Sequence, residues 1–234
     1  EAVLGANHPS IAVSLDNIGI CYHSQGKYEE AVEYHKQACK IRKAAVGENH
    51  LTVGSSLNNI GNCYGSQGKY VEALEYHEQA LEIKKVVLGE KHPDVAKSIG
   101  NIGICYHSLG KYDKALKYHE KALNILEAVL GENHPDIATS LNNIGNCYDS
   151  QGKYDEALKY LDRALKIWKA KLGASHPAVA TSLSNIGNCY NRMNNSSKAQ
   201  ECFLTAYQIS CEVLGETHPT TLKYKQKISN GSGC

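Results

Sequence analysis

Leu141-Asn142-Asn143-Ile144-Gly145-Asn146-Cys147-Tyr148 decides the fold, because its second half is one of five copies. Ile18-Gly19-Ile20-Cys21-Tyr22 comes first, and the pattern returns from Ile60, Ile102, Ile144 and Ile186, each copy 42 residues after the last. The same step links His8, His50, His92, His134, His176 and His218, all followed by proline except His50, which precedes Leu51. A period of this size marks units that bury their apolar faces only by stacking on their neighbours. Full units run over 8–49, 50–91, 92–133, 134–175 and 176–217. Residues 1–7 resemble 127–133 and read as the end of a preceding unit, so the chain is expected to be a piece of a longer protein. Residues 218–228 read as a capping helix, with lysines 223, 225 and 227 as its polar face, and 229–234 as a flexible tail.

Within the fourth unit, Ile137, Leu141, Ile144 and Tyr148 recur at helical spacing and form one apolar face. Pro135 suits the first helical position, with His134 or Asn133 as the cap, and Gln151-Gly152 ends the helix. A second helix opens at Lys153-Tyr154-Asp155-Glu156, its acids in the first turn as the helix dipole prefers. It carries Ala157, Leu158, Leu161, Ala164, Leu165 and Trp168, and Leu172-Gly173 closes it. No strand-like alternation competes, so the fold class is all-α, a solenoid of helix-turn-helix units.

Composition narrows the function. With 25 basic and 24 acidic residues the net charge is +1, too small a field to draw in nucleic acid or an anionic membrane. No stretch approaches the roughly 20 apolar residues that a bilayer crossing needs, and no secretory leader pattern precedes the repeats. A cytoplasmic location is expected.

Leu141, Ile144-Gly145, Tyr148, Ala157, Leu161 and Ala164 fall at the spacing of the tetratricopeptide signature, and the chain resembles that family over nearly all of residues 1–228. The unit exceeds the family's usual length of roughly 34 residues, and its Leu-Gly-Glu-x-His-Pro connector is similar to the repeat of kinesin light chains, nephrocystin-like proteins and nucleotide-binding-domain-linked relatives. The heptad segments by which kinesin light chains attach to the motor are missing. The resemblance implies a right-handed superhelix whose first helices line a concave groove, and a scaffold that binds an extended peptide of a partner there.

The first helix has a polar stripe to offer such a groove. On a wheel of about 100° per residue, Thr139, Asn142, Asn143, Asn146, Asp149 and Ser150 gather opposite the apolar face. One column is invariant: Asn17, Asn59, Asn101, Asn143 and Asn185. A second reads Ile20, Asn62, Ile104, Asn146 and Asn188. A carboxamide donates and accepts like a peptide group, so these rows predict a grip on a peptide backbone. The alternative is that each asparagine bonds a neighbouring helix or water. Lys97 and Arg192 are the groove cations, too few for the carboxylate clamp of some relatives. They suit an internal peptide with an acidic residue near Lys97 or Arg192 and an apolar anchor near Ile20 or Ile104. By resemblance to kinesin light chains the first ligand class to test is an aromatic-acidic linear motif.

Cys21, Cys63, Cys105, Cys147 and Cys189 recur with the repeat and read as packing residues, too far apart for disulfides. Cys39, Cys202 and Cys211 lie on second helices, Cys234 lies in the tail, and a reducing compartment follows. His35, His77 and His119 stand where later units have Leu161 and Phe203, so they are expected as half-buried rings between hairpins; His23 and His107 fall on the groove side. No histidine or cysteine set has metal-ligand spacing, and no cofactor is expected. Phosphate loops, nucleophile elbows and paired carboxylates are missing, so the chain is not read as an enzyme. The competing reading is a purely structural or self-associating array, a spacer or an idealised repeat design. The departure of Asn194-Asn195-Ser196-Ser197 from the usual Gly-Lys-Tyr-Asp counts against a perfect design.

Overall fold

The computed structural model describes residues 8–231; the expected end of a preceding unit, 1–7, and the last tail residues, 232–234, lie outside them. Each connector histidine starts a helix. The Nδ1 atoms of His8, His50, His92, His134 and His176 accept the N–H two residues on, satisfying one of the donors that a helix start leaves without a partner. Of the two caps considered for the fourth unit, His134 is the one used, at 3.2 Å from the Asp136 N–H. The first helices so begun are α1 (Pro9–Ser24), α3 (Leu51–Ser66), α5 (Pro93–Ser108), α7 (Pro135–Ser150) and α9 (Pro177–Arg192).

The second helices are α2 (Tyr28–Val46), α4 (Tyr70–Leu88), α6 (Tyr112–Leu130), α8 (Tyr154–Leu172) and α10 (Ser196–Leu214). The turn before each needs a left-handed residue. Gly152 supplies it at φ 77°, and in the fifth unit Asn194 takes the role at φ 58°, which asparagine tolerates better than other side chains. Asn195 then caps α10 through the Lys198 N–H, so the aberrant Asn-Asn-Ser-Ser turn keeps the hairpin. A last helix, α11 (Pro219–Gly231), continues past the end expected for the capping segment at 228. Among the described residues there is no strand, and no helix is long and apolar enough to cross a membrane.

The chain divides into two compact units, 1–125 and 126–234. In the first, α2 packs on α1 and α3, and α4 on α3 and α5. Its core joins Ala31, Val32, Val53, Leu57, Ile60 and Ala80, with Tyr22, Tyr64 and Tyr76 against them. In the second, α8 packs on α7 and α9, and α10 on α9 and α11, around Ala157, Leu161, Ile186 and Cys189. A stacked tyrosine pair recurs in each of the first four hairpins, with ring centroids 5.2–5.5 Å apart.

Closest approach within a hairpin falls at the glycine of the recurrent motif. A Cβ added to Gly187 would stand 2.6 Å from the Phe203 ring, and one on Gly145 would stand 2.7 Å from Leu161. His35, His77 and His119 occupy the same place in the first three hairpins, above Gly19, Gly61 and Gly103. They are therefore fully buried, at 1–3% exposure, and lie inside their own hairpins, where the sequence led us to expect half-buried rings between hairpins. Cys63, Cys105, Cys147 and Cys189 are buried packing residues, while Cys21 of the first repeat is exposed.

Candidate functional site

Two of the invariant asparagines, Asn101 and Asn185, turn sideways toward the preceding first helix. Asn101 on α5 donates from Nδ2 to Asn58 Oδ1 on α3 at 2.8 Å, and Asn185 on α9 donates to Asn142 Oδ1 on α7 at 3.0 Å. Each bond spans 43 residues, from the invariant column to the preceding position of the previous unit. Lys227, which the repeat places in that column on α11, donates across the same span to Ser184 Oγ at 2.8 Å and also to Asn188 Oδ1 at 2.9 Å. Burial draws the Lys227 ammonium down to about 8. This capping lysine thus turns inward, away from the solvent face expected for it, and covers Asn188 at that end of the polar stripe. The alternative role for the asparagines, bonding a neighbouring helix, is the one these bonds display.

A second cross-helix series runs about two turns nearer the helix ends. His23 Nε2 meets Ser66 Oγ at 2.9 Å between the first two repeats, and at the same positions of the fourth and fifth repeats Arg192 reaches Asp149 Oδ2 at 2.9 Å. Arg192, expected as a groove cation, is therefore engaged by Asp149, and its side chain keeps 49% exposure.

Between α3 and α5 the bonded rows leave a recess of about 460 Å³, walled on its far side by His23 and Ser66. Asn62, Asn101, Ile104 and Ser108 line it, with Gly61, His77 and Cys105 at the floor and Tyr70 at the rim. Its lining holds no carboxylate, lysine or arginine. Burial, reinforced by Lys84, holds the His77 imidazole down at about 4, and burial pushes the Cys105 thiol up to about 11. His77 Nδ1 donates at 3.2 Å to the same Asn58 oxygen that Asn101 uses, which fixes its tautomer. Exposed Ile104, at 47%, is the apolar element.

Asn62, Asn101 and Ile104 thus line one recess. Lys97 lies exposed on α5, outside the lining, and Asn17 is exposed on α1. Asn59, Asn143 and Asn146 are half-buried, whereas Asn142 is 8% exposed and serves as the acceptor of Asn185. Asn58, Tyr70 and Ser108 were missed. The column beside the invariant asparagines held the signal for Asn58, since its members change type while their neighbours do not.

A larger recess of about 560 Å³ lies on the second-helix side, among Lys43, Glu48, Glu75, Glu78 and Glu82. Its carboxylates are solvated, and Glu48 and Glu82 already pair with Lys43 and Lys85. Among the described residues no group of histidines, cysteines and carboxylates could hold a metal ion.

Known structures share this architecture. A Podosopora anserina protein described as a kinesin light chain with nearly identical tetratricopeptide-like repeats is 24% identical, covers 88% of this chain and 98% of its own, and superposes with a TM-score of 0.68. BtubC from P. vanneervenii is 22% identical over 90% of this chain and 92% of its own, with a TM-score of 0.62. A Rap protein complexed with competence and sporulation factor is 19% identical over 94% of this chain and 59% of its own, with a TM-score of 0.79. No curated protein matches the sequence. The sequence profile of the tetratricopeptide repeat family matches residues 1–44, 52–128, 95–170 and 150–212. With its matched repeats, its all-helical hairpins and its kinesin light chain-type neighbours, the chain belongs to the tetratricopeptide repeat family.

Proposed function

We propose that the chain is a protein-interaction scaffold that holds an extended peptide segment of a partner on its first-helix face, centred on the recess between α3 and α5. The make-up of the recess carries the reading: carboxamides, hydroxyls and one exposed isoleucine, with no carboxylate, lysine or arginine, suit a peptide main chain with an apolar anchor. The anchor would lie on Ile104 and the backbone along Asn62 and Asn101. An aromatic-acidic segment fits with its aromatic group at Ile104 and its acid outside the recess, toward Lys97. The Rap protein complexed with competence and sporulation factor shares the fold, which is compatible with a binding role for such an array.

The 43-residue bonds favour, beside this, a structural part for Asn101 and Asn185. Replacing both with Asn143 by alanine is therefore expected to lower the melting temperature as well as binding, in place of the small melting change that a pure ligand ladder implies. Asn62 and Ile104 are the cleaner test, because both are exposed. Peptides selected on the wild-type protein from a displayed library, measured by fluorescence polarisation, should bind Asn62→Ala and Ile104→Ser at least about tenfold more weakly with unchanged melting. Equal affinity for both variants would overturn the placement, and a library yielding no binder would overturn peptide binding.

A further inference from the structure

The position before the invariant asparagine supplies a partner for the buried histidine of its hairpin. In the first repeat Asp16 Oδ1 lies 2.7 Å from His35 Nδ1, with Arg42 on the other carboxylate oxygen. In the second, Asn58 Oδ1 receives His77 Nδ1 at 3.2 Å. In the third repeat this position is Gly100, which has no side chain to offer. His119 is 1% exposed, and its Nδ1 is buried without a hydrogen-bond partner. Its ring has the pose of His77: a Cβ on Gly103 would lie 2.6 Å from Cε1 and 2.8 Å from Nδ1, against 2.8 and 2.9 Å for His77 above Gly61. The orphaned nitrogen therefore points at Gly100, and a methyl placed on Gly100 would meet nothing within 4 Å. A buried ring nitrogen left unmatched beside open space is costly to folding and ready for an incoming group.

We propose that the notch over Gly100 is a subsite for a neutral amide, whose carbonyl oxygen takes the place of the missing asparagine and accepts from His119 Nδ1. This rests on the peptide reading above and adds to it where the polar contact falls, between Lys97 one turn before and Ile104 one turn after on α5. A carboxylate fits worse. In the first repeat the acid at this position comes with Arg42, whereas the equivalent place on α6 is Leu126, itself buried. Burial and the neighbouring His107 keep the His119 ring neutral, lowered to about 4, so it offers a dipole and no charge to an anion.

The test uses the intact protein with ¹⁵N-labelled imidazoles, the His119 resonances being identified by their loss in His119→Leu. The probes are acetamide, for a side-chain carboxamide, and N-methylacetamide, for a main-chain amide, with acetate as the charged comparison, each up to about 1 M as suits ligands of so few atoms. A saturable shift of the His119 Nδ1 signal is expected with at least one amide, and which amide does it identifies the source. Acetate should act at least about tenfold more weakly. Gly100→Asn, the residue of the second and fourth repeats, or Gly100→Ser, that of the fifth, should abolish the response and raise Tm by about 3 °C. A His119 signal unmoved by either amide, moved equally by acetate, or moved equally in the filled variants overturns the subsite. Because no peptide is used, such a failure leaves the peptide reading standing, and a failed peptide selection leaves the His119 response intact.

Discussion

Exchange of His119 for leucine should remove a defined part of the protein's acid sensitivity. Leucine is the residue that the fourth hairpin already uses there, as Leu161 above Gly145. His119 is 1% exposed, and its imidazole is held neutral down to about 4 against an ordinary value of 6.5, by burial first and by His107 second. The folded state therefore disfavours the proton that the unfolded chain takes up. Above 6.5 neither state is protonated and the histidine contributes no pH dependence. As the pH falls below 6.5 the unfolded state binds the proton first, stability drops, and the loss is complete near 4. The full shift is worth about 3 kcal/mol, of which about 2 kcal/mol is lost by pH 5. Urea unfolding followed by circular dichroism, at intervals from pH 8 to pH 4, should show the gap between His119→Leu and wild type widening by those amounts as the pH falls. His77→Leu should behave alike in its pH dependence, from its own lowered value of about 4, with an offset at every pH because Asn58 loses a partner. A gap between His119→Leu and wild type that stays constant from pH 8 to pH 4 would refute the reasoning, since it would mean that the folded protein accepts the proton as readily as the unfolded chain.

Two further outcomes follow from the packing. Gly187→Ala, which sets a methyl 2.6 Å from the Phe203 ring, should cost about 2 kcal/mol in urea unfolding, and an unchanged midpoint would show that the hairpin yields freely. In native-state alkylation at pH 8, read by mass spectrometry, exposed Cys21 should react ahead of its four repeat equivalents, while Cys63 and Cys105, pushed up to about 11, and Cys147 and Cys189, pushed up to about 12, stay protected until the chain is unfolded.

The hairpins were readable because two independent signals coincide on each: an apolar spacing that only a helix satisfies, and a His-Pro or Gly mark at its ends. Pro135, Gln151-Gly152, Tyr154 and Leu172-Gly173 bound α7 and α8 as the sequence indicates. The polar face was harder. A helical wheel places Asn101 and Asn185 on the correct side, but it carries no information on the stagger between successive first helices. That stagger decides whether a carboxamide faces a ligand or the position one residue before its equivalent in the last unit. Lys227 illustrates the same limit: its charge says surface, while its register says asparagine column, and register prevails. The three histidines look alike in sequence, yet Asp16, Asn58 and Gly100 give them three different fates.

The bonds that span 43 residues have a consequence for how such a chain can change its length. Each joins a donor in one repeat column, asparagine in two cases and Lys227 in the third, to the preceding position of the unit before, an asparagine oxygen in two cases and a serine hydroxyl in the third. A unit cut out or copied in steps of 42 residues brings another such donor up to whatever acceptor now precedes it. The joint is remade without a matched change on either side, so repeats can be added or lost in such steps while the register of neighbouring first helices is kept.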